Sequence, residues 1–302
     1  MKSFAIKTLL FCFPVVLAII GVEILLINTE NNYQYKHEYL LKNNKEIETL
    51  IFGSSYAYYG INPTLLNTNS FNLANPSQSL YFHHILLTKH LANLPKLKTI
   101  IINISYSSLS RKRSQETWRK YYYHHYMDAE VDLISKNSLG SYLIFGGIGL
   151  KPAMKMIWRS YFKGEKRNKG WQPLKANQHQ WGKKSAIKQE NNSTDFTQNI
   201  TLLNEVIELC QDKDVNVVLL TMPVYHTYSD NIDTEKLAEV FNACEELEKV
   251  NSNTYYLNHF FNDNFTLMDY FDEHHLSKEG ASKMSILLNK ELEIINQPKD
   301  ED

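Results

Sequence analysis

The sequence predicts an α/β protein, a three-layer α/β/α sandwich on a mainly parallel sheet, preceded by one N-terminal transmembrane helix. Three observations carry this reading. Short apolar runs alternate with stretches of helical periodicity from about residue 49 onward. One of those runs, Thr99-Ile100-Ile101-Ile102, is continuous and β-branched, as strands covered on both faces are. The chain also begins with an apolar segment long enough to cross a bilayer.

That segment comes first in order. Lys2 and Lys7 precede the apolar run 9–27, which is interrupted only by Pro14, Gly21 and Glu23. A signal-peptide core is usually shorter, and no small-x-small cleavage site stands before the polar run 28–34. Phe11 before Cys12 argues against a lipoprotein signal, which needs a small residue there. Residues 1–8 are therefore expected in the cytoplasm and 9–27 as a retained signal anchor, with the remainder outside. Lys36, Lys42 and Lys45 weaken that charge asymmetry, and Glu23 is tolerable if it lies near the outer end of the span. Residues 28–48 are polar and suit a linker of partly helical character.

The main domain is expected over 49–295, with a polar tail at 296–302. Strands are predicted at 49–53, 70–73 and 98–105, with a helix at 80–94. Leu203, Val206, Ile207 and Cys210 mark a helix, 215–222 a strand, Leu237, Phe241 and Cys244 a helix, and 254–257 a strand. Ala281, Met284, Leu288 and Leu292 mark the last helix. Such alternation implies right-handed crossovers and a site at the carboxyl ends of the strands.

Residues 106–195 break the alternation and read as an insertion, a candidate cap. They carry Arg111-Lys112-Arg113, Tyr121-Tyr122-Tyr123-His124-His125-Tyr126, Trp158, Trp171, Trp181 and the basic run 163–169. Aromatic rings interleaved with cations suit sugar rings and anionic groups, or a membrane surface with anionic lipids. Packing of those rings inside a solvated subdomain is the competing reading.

Composition narrows the function classes. In 302 residues, 43% hydrophobic, a sizeable core is available, and a net charge of -1 argues against nucleic acid as a partner. Cys210 and Cys244 fall on helix stripes as buried thiols, a disulfide between them being the lesser expectation. His83-His84 and His124-His125 lack metal-ligand spacing, so neither metal nor cofactor is expected.

Two motifs carry chemistry. The first strand runs into Gly53-Ser54-Ser55, where glycine permits a sharp exit and Ser55 begins the next helix with its own amide available to an oxyanion. More than two hundred residues later, Asp272-Glu273-His274-His275-Leu276 precedes the last helix, with Ser277 as an N-cap and Glu279 in the first turn. A carboxylate three residues before an imidazole can bond one ring nitrogen and leave the other for a serine. Ser55 is thus the candidate nucleophile, His275 the base and Asp272 its orienter, with Ser54, His274 and Asp269 as alternates. Ala57 stands where the second glycine of Gly-x-Ser-x-Gly belongs, which disfavours an ordinary α/β-hydrolase elbow.

These residues resemble the SGNH, or GDSL-like, hydrolase and acyltransferase superfamily, in the variant where Gly-Ser-Ser replaces Gly-Asp-Ser. Asp272-x-x-His275-Leu276-Ser277 with Gly280-Ala281 is similar to its last block. The resemblance covers most of 49–106 and 198–292 and implies an SGNH or flavodoxin-like fold, with Ser55, His275 and Asp272 as the catalytic residues. It also implies an oxyanion hole completed by a glycine and an asparagine. Ser77 stands nearest the place of the first and Ser105 of the second, with Asn103 close by. Membrane-anchored relatives, the D-alanyl-transfer and polysaccharide O-acetylation proteins, show similar departures. The function implied is an extracytoplasmic serine esterase or O-acyltransferase with an acyl donor, a carbohydrate or glycolipid acceptor and an envelope-pathway membrane partner. The rival is a non-catalytic SGNH-like scaffold that binds glycan or a partner protein.

Overall fold

In a computed structural model of the chain we describe residues 2–113, 118–162, 168–174 and 193–297. The chain forms two compact units, one of Met1–Glu38 with Glu116–Lys166, the other of Tyr39–Gln115 with Arg167–Asp302.

The larger unit holds five strands: β1 (Thr49–Phe52), β2 (Ser70–Asn72), β3 (Thr99–Asn103), β4 (Asn216–Thr221) and β5 (Thr254–Asn258). All pair in parallel, in the order β2-β1-β3-β4-β5. In this doubly wound order the chain reverses direction across the sheet between β1 and β3, and ligands bind outside the carboxyl ends at that switch point. The strands are apolar because both faces are covered: Leu50, Ile51 and Phe52, Ile100 to Ile102, and Val217 to Leu220 are all buried. Burying each such side chain contributes on the order of 1.5–3 kcal/mol.

In the chain order of the whole molecule, the helices of this unit are α3 (Ser55–Gly60), α4 (Leu80–His90), α9 (Thr197–Gln211), α10 (His226–Ser229), α11 (Thr234–Val250) and α12 (Lys278–Ile295). α4 packs on α9, and α12 packs on α3. The expected stripes point inward: Leu203, Val206, Ile207 and Cys210 on α9, and Ala281, Met284, Leu288 and Leu292 on α12. This is the predicted α/β/α sandwich. Elements end earlier than predicted where local turns intervene. β3 stops at Asn103 because Ser105 turns onto Ser108, and α4 gives way at Leu91 to a 3-10 turn. Cys210 and Cys244 are free, and burial pushes both thiols up to about 12.

The smaller unit is helical. α1 (Lys2–Asn28) is long and apolar enough to cross a membrane, at about 1.5 Å per residue. α2 (Asn32–Asn43) follows, capped by the Asn31 side chain, which accepts from the Tyr33 and Gln34 amides, so much of the expected linker is helix. The predicted insertion contributes α5 (Lys120–Met127), α6 (Leu139–Tyr142), α7 (Ile144–Ile148) and α8 (Leu150–Phe162). Glu23 is buried, and its two carboxylate oxygens accept the Ile144 and Phe145 amides at 2.8 and 3.0 Å, capping α7.

The tyrosine run is core here. Tyr122, Tyr123 and Tyr126 are buried, the first two pack on the Tyr33 ring, and Tyr126 donates to the Leu26 carbonyl. These three rings offer no sugar platform. In the larger unit Trp171 is also buried, its indole N–H donating to the Tyr59 carbonyl at 2.7 Å. Trp181 and 163–167 lie outside the described residues.

Candidate active site

Gly53 leaves β1 with φ 155°, a backbone state that side chains resist. A Cβ there would also lie 2.7 Å from that of Ala57 and 2.8 Å from that of Asn103. The chain can therefore turn off the sheet only with glycine at this position. Ser54 is the N-cap in extended conformation and Ser55 opens α3.

The opposing loop is held by its own carboxylate. Asp272 Oδ1 accepts the amides of His274 and His275 at 3.0 and 2.8 Å, and the Phe271 amide donates to the His275 carbonyl. Ser277 caps α12 by accepting the Gly280 amide, and Gly280 needs to lack a side chain because the Asp269 carbonyl lies against it. Within this frame His275 Nδ1 is 2.8 Å from Asp272 Oδ2, and His275 Nε2 is 2.8 Å from Ser55 Oγ. With the carboxylate accepting from Nδ1–H, the neutral ring has Nε2 free to accept the Ser55 proton. The Tyr56 and Tyr59 rings, at 5.5 and 5.6 Å between centroids, restrict the imidazole.

Burial acts to raise the Asp272 pKa, but the His275 hydrogen bond and charge, helped by His274, outweigh it and hold the carboxyl at about 2. His274 is also lowered, for a different reason. Its ring is buried between Tyr56 and Tyr228, and burial, with the adjacent His275 charge, lowers it to about 4 against the pull of Asp272.

The alternates are not part of this proton-transfer chain. Ser54 lines the cavity next to Ser55, and its buried Oγ makes no hydrogen bond among the described residues. Asp269 accepts from Thr266 and pairs with Lys283 at 3.0 Å.

On the other side of Ser55 lies a cavity of about 220 Å³. Ser55, Ser77 and Ser105 all line it, whereas Asn103 does not. The Asn103 amide donates instead to the Leu220 carbonyl on β4 at 3.2 Å. Ser77 has φ 60°, the left-handed state a glycine takes at no steric cost. At the position where the resemblance places a glycine, the chain thus has a serine in a backbone state that glycine adopts readily.

Sequence reasoning also missed several other lining residues, Gln78, His83 and Arg111 among them. Arg111 donates to the Ser77 carbonyl at 2.8 Å, a bond between residues 34 apart that no local pattern announces. His83 is buried, and that burial lowers it to about 3, against a smaller opposing contribution from the Gly53 backbone.

Among the described residues, Asp272, His274 and His275 bring a carboxylate and two imidazoles within 4.8 Å, a set that could hold a cation. Such an ion would compete for the Asp272 oxygens that now bind His275.

A serine after β1 and an Asp-x-x-His loop before the last helix thus meet on a parallel sheet of this order. It is the meeting of motifs that the sequence resemblance implies. No family model and no curated protein matches the chain. Among solved structures it is similar to a GDSL-like lipase from Bacteroides thetaiotaomicron, at 10% identity over 85% of this chain and 97% of that one, TM-score 0.45. It is similar to a candidate acylhydrolase from Bacteroides fragilis, at 10% identity over 88% and 99%, TM-score 0.46. It is also similar to a lipase from a goat rumen metagenome, at 10% identity over 84% and 99%, TM-score 0.40. The chemistry of the site rests on its own side-chain geometry.

Proposed function

We propose that the chain is a membrane-anchored serine esterase or O-acyltransferase working outside the cytoplasm on acyl esters of a surface polysaccharide or glycolipid. The single observation that supports it best is the unbroken Asp272–His275–Ser55 chain, with both links at 2.8 Å. Ser55 Oγ attacks the acyl carbon while His275 Nε2 takes its proton, and the imidazolium is stabilised by Asp272. The carbonyl oxygen becomes an oxyanion, for which the Ser55 and Ser77 amides and the Ser105 hydroxyl, from residues lining the same cavity, are the donors we assign. Collapse breaks the ester bond, and His275 returns the proton to the leaving alkoxide. Water or an acceptor hydroxyl then attacks the acyl-Ser55, with His275 again as base, and free Ser55 is regenerated. α1 would keep this unit at the membrane, and an envelope-pathway membrane partner could supply the acyl group.

The rival reading, a non-catalytic scaffold that binds glycan or a partner, draws on Asn103, whose amide is committed to Leu220. The two part on turnover. We expect the full-length chain in detergent to hydrolyse a short-chain aryl ester and Ser55→Ala not to. A folded wild type without turnover would favour the scaffold.

A further inference from the structure

The smaller unit carries an apolar surface that faces outward. On α8, Ala153 is fully buried, while Leu150, Met154, Trp158, Tyr161 and Phe162 are 59, 61, 50, 64 and 75% exposed. Leu150, Met154, Trp158 and Phe162 recur about one turn apart, and with Tyr161 they form one apolar face along the helix. Lys151, Lys155 and Arg159, each one position later, form an exposed cationic row beside it. A helix of a water-soluble domain turns such an apolar row inward. The outward row flanked by cations is instead the pattern of a helix lying in a membrane interface.

What covers this row follows from where α8 is held. α7 and α8 both pack on α1. The joint sits at the end of the apolar run: Glu23 caps α7, and the Leu26 carbonyl accepts from Tyr126, two residues before α1 ends at Asn28. α1 itself exposes Leu17, Ile20, Ile24 and Ile27, at 51, 48, 55 and 54%. An apolar medium that receives α1 therefore reaches its boundary at the level of α8.

We propose that α8 lies flat in the headgroup region of the membrane that α1 crosses, its apolar row toward the acyl chains and Lys151, Lys155 and Arg159 on the phosphates of anionic lipids. The proposal rests on α1 as a membrane span. It gives the unit a second membrane contact and fixes its orientation around α1.

The test uses the full chain, with Cys12→Ser, in bilayers of zwitterionic lipid with or without anionic phosphatidylglycerol. A nitroxide is attached at Met154→Cys or, as the control on α1, at Ile20→Cys. Oxygen collects in the acyl region and a nickel chelate in water. We expect both labels to be open to oxygen and shielded from nickel, with Ile20→Cys the deeper. Replacing Lys151, Lys155 and Arg159 by Gln should raise nickel access at Met154→Cys several-fold in anionic bilayers and little in zwitterionic ones. If Met154→Cys is open to nickel while Ile20→Cys is shielded, α8 stands off the membrane and only this inference falls. Nickel access at Ile20→Cys would remove the anchor and this inference with it. Shielding of Met154→Cys from both reagents would mean a protein occupant such as a second copy, which also overturns it. An unchanged nickel access in the triple Gln variant would overturn the anionic-lipid contact.

Discussion

The two sides of Ser55 are built in different ways. On the base side every group is fixed by short-range bonds: Asp272 holds two amides of its own loop and the imidazole, and Ser277 caps the helix that follows. On the cavity side the position that the resemblance assigns to glycine is Ser77, held in a left-handed state at φ 60°, with Arg111 from a distant part of the chain on its carbonyl. The difference teaches that a proton-transfer chain needs particular side chains, whereas an oxyanion donor made of backbone needs only a particular backbone shape. One side therefore depends on the identity of its side chains and the other on the conformation of its backbone.

The largest expected effects break the base side. Ser55→Ala should abolish ester turnover, a loss of at least about 10³-fold, and His275→Gln should do the same, both read from initial rates on an aryl ester. Asp272→Asn should cost about 10² to 10⁴-fold while leaving the thermal transition within a few degrees, because the ring loses its orienter and its countercharge. Turnover equal to wild type would take Asp272 out of the mechanism.

Two substitutions sharpen the cavity side. Ser77→Gly keeps the amide and relieves a strained backbone, so stability should rise by about 1 kcal/mol with activity retained, whereas Ser77→Val should destabilise by a similar amount or more and lower the rate. Chemical denaturation and steady-state kinetics together separate these outcomes. A Ser77→Val protein as active and stable as wild type would mean that the backbone shape there is not needed.

Through His83 and His274, acid acts on stability and not on the chemical step, and it again divides the two sides. His83 and His274, at about 3 and 4 in the fold, lie below the ordinary histidine value of about 6.5 expected in the unfolded chain. The unfolded chain then binds more protons across that interval. Stability is complete above about pH 6.5 and declines as pH falls toward 4 and then 3, by on the order of 3 kcal/mol per histidine. Asp272, held at about 2, adds a further loss only below about pH 4, as its carboxyl protonates. His83→Leu should flatten the decline between pH 6 and 4 in urea titrations, and an unchanged slope would show that His83 does not carry it.

The same contrast explains what could be read from the chain. The sheet was legible because its strands are continuous apolar runs, and Ser55, His275 and Asp272 because each belongs to a short motif beside a helix start. Ser77, Ser105 and Asn103 could be placed only by analogy. Asn103 was diverted by a carbonyl on β4, 117 residues on, and Ser77 shows its purpose only through φ. Arg111 looked like one cation of a basic run until the fold set it on Ser77. Tyr122, Tyr123 and Tyr126 suited either a platform or a core, since a tyrosine ring serves both, and packing on Tyr33 and bonding to Leu26 decided it. Glu23 read as a cost within an apolar helix until its partner appeared as the first turn of α7.

The most direct measurement is covalent labelling of the full-length chain with a fluorophosphonate, followed by intact mass and peptide mapping, in wild type, Ser55→Ala and His275→Gln. An activated serine predicts one adduct on Ser55 in wild type, none in Ser55→Ala and greatly slowed labelling in His275→Gln. A folded wild type that takes up no label, or labelling at Ser55 that is indifferent to His275, would contradict the catalytic reading.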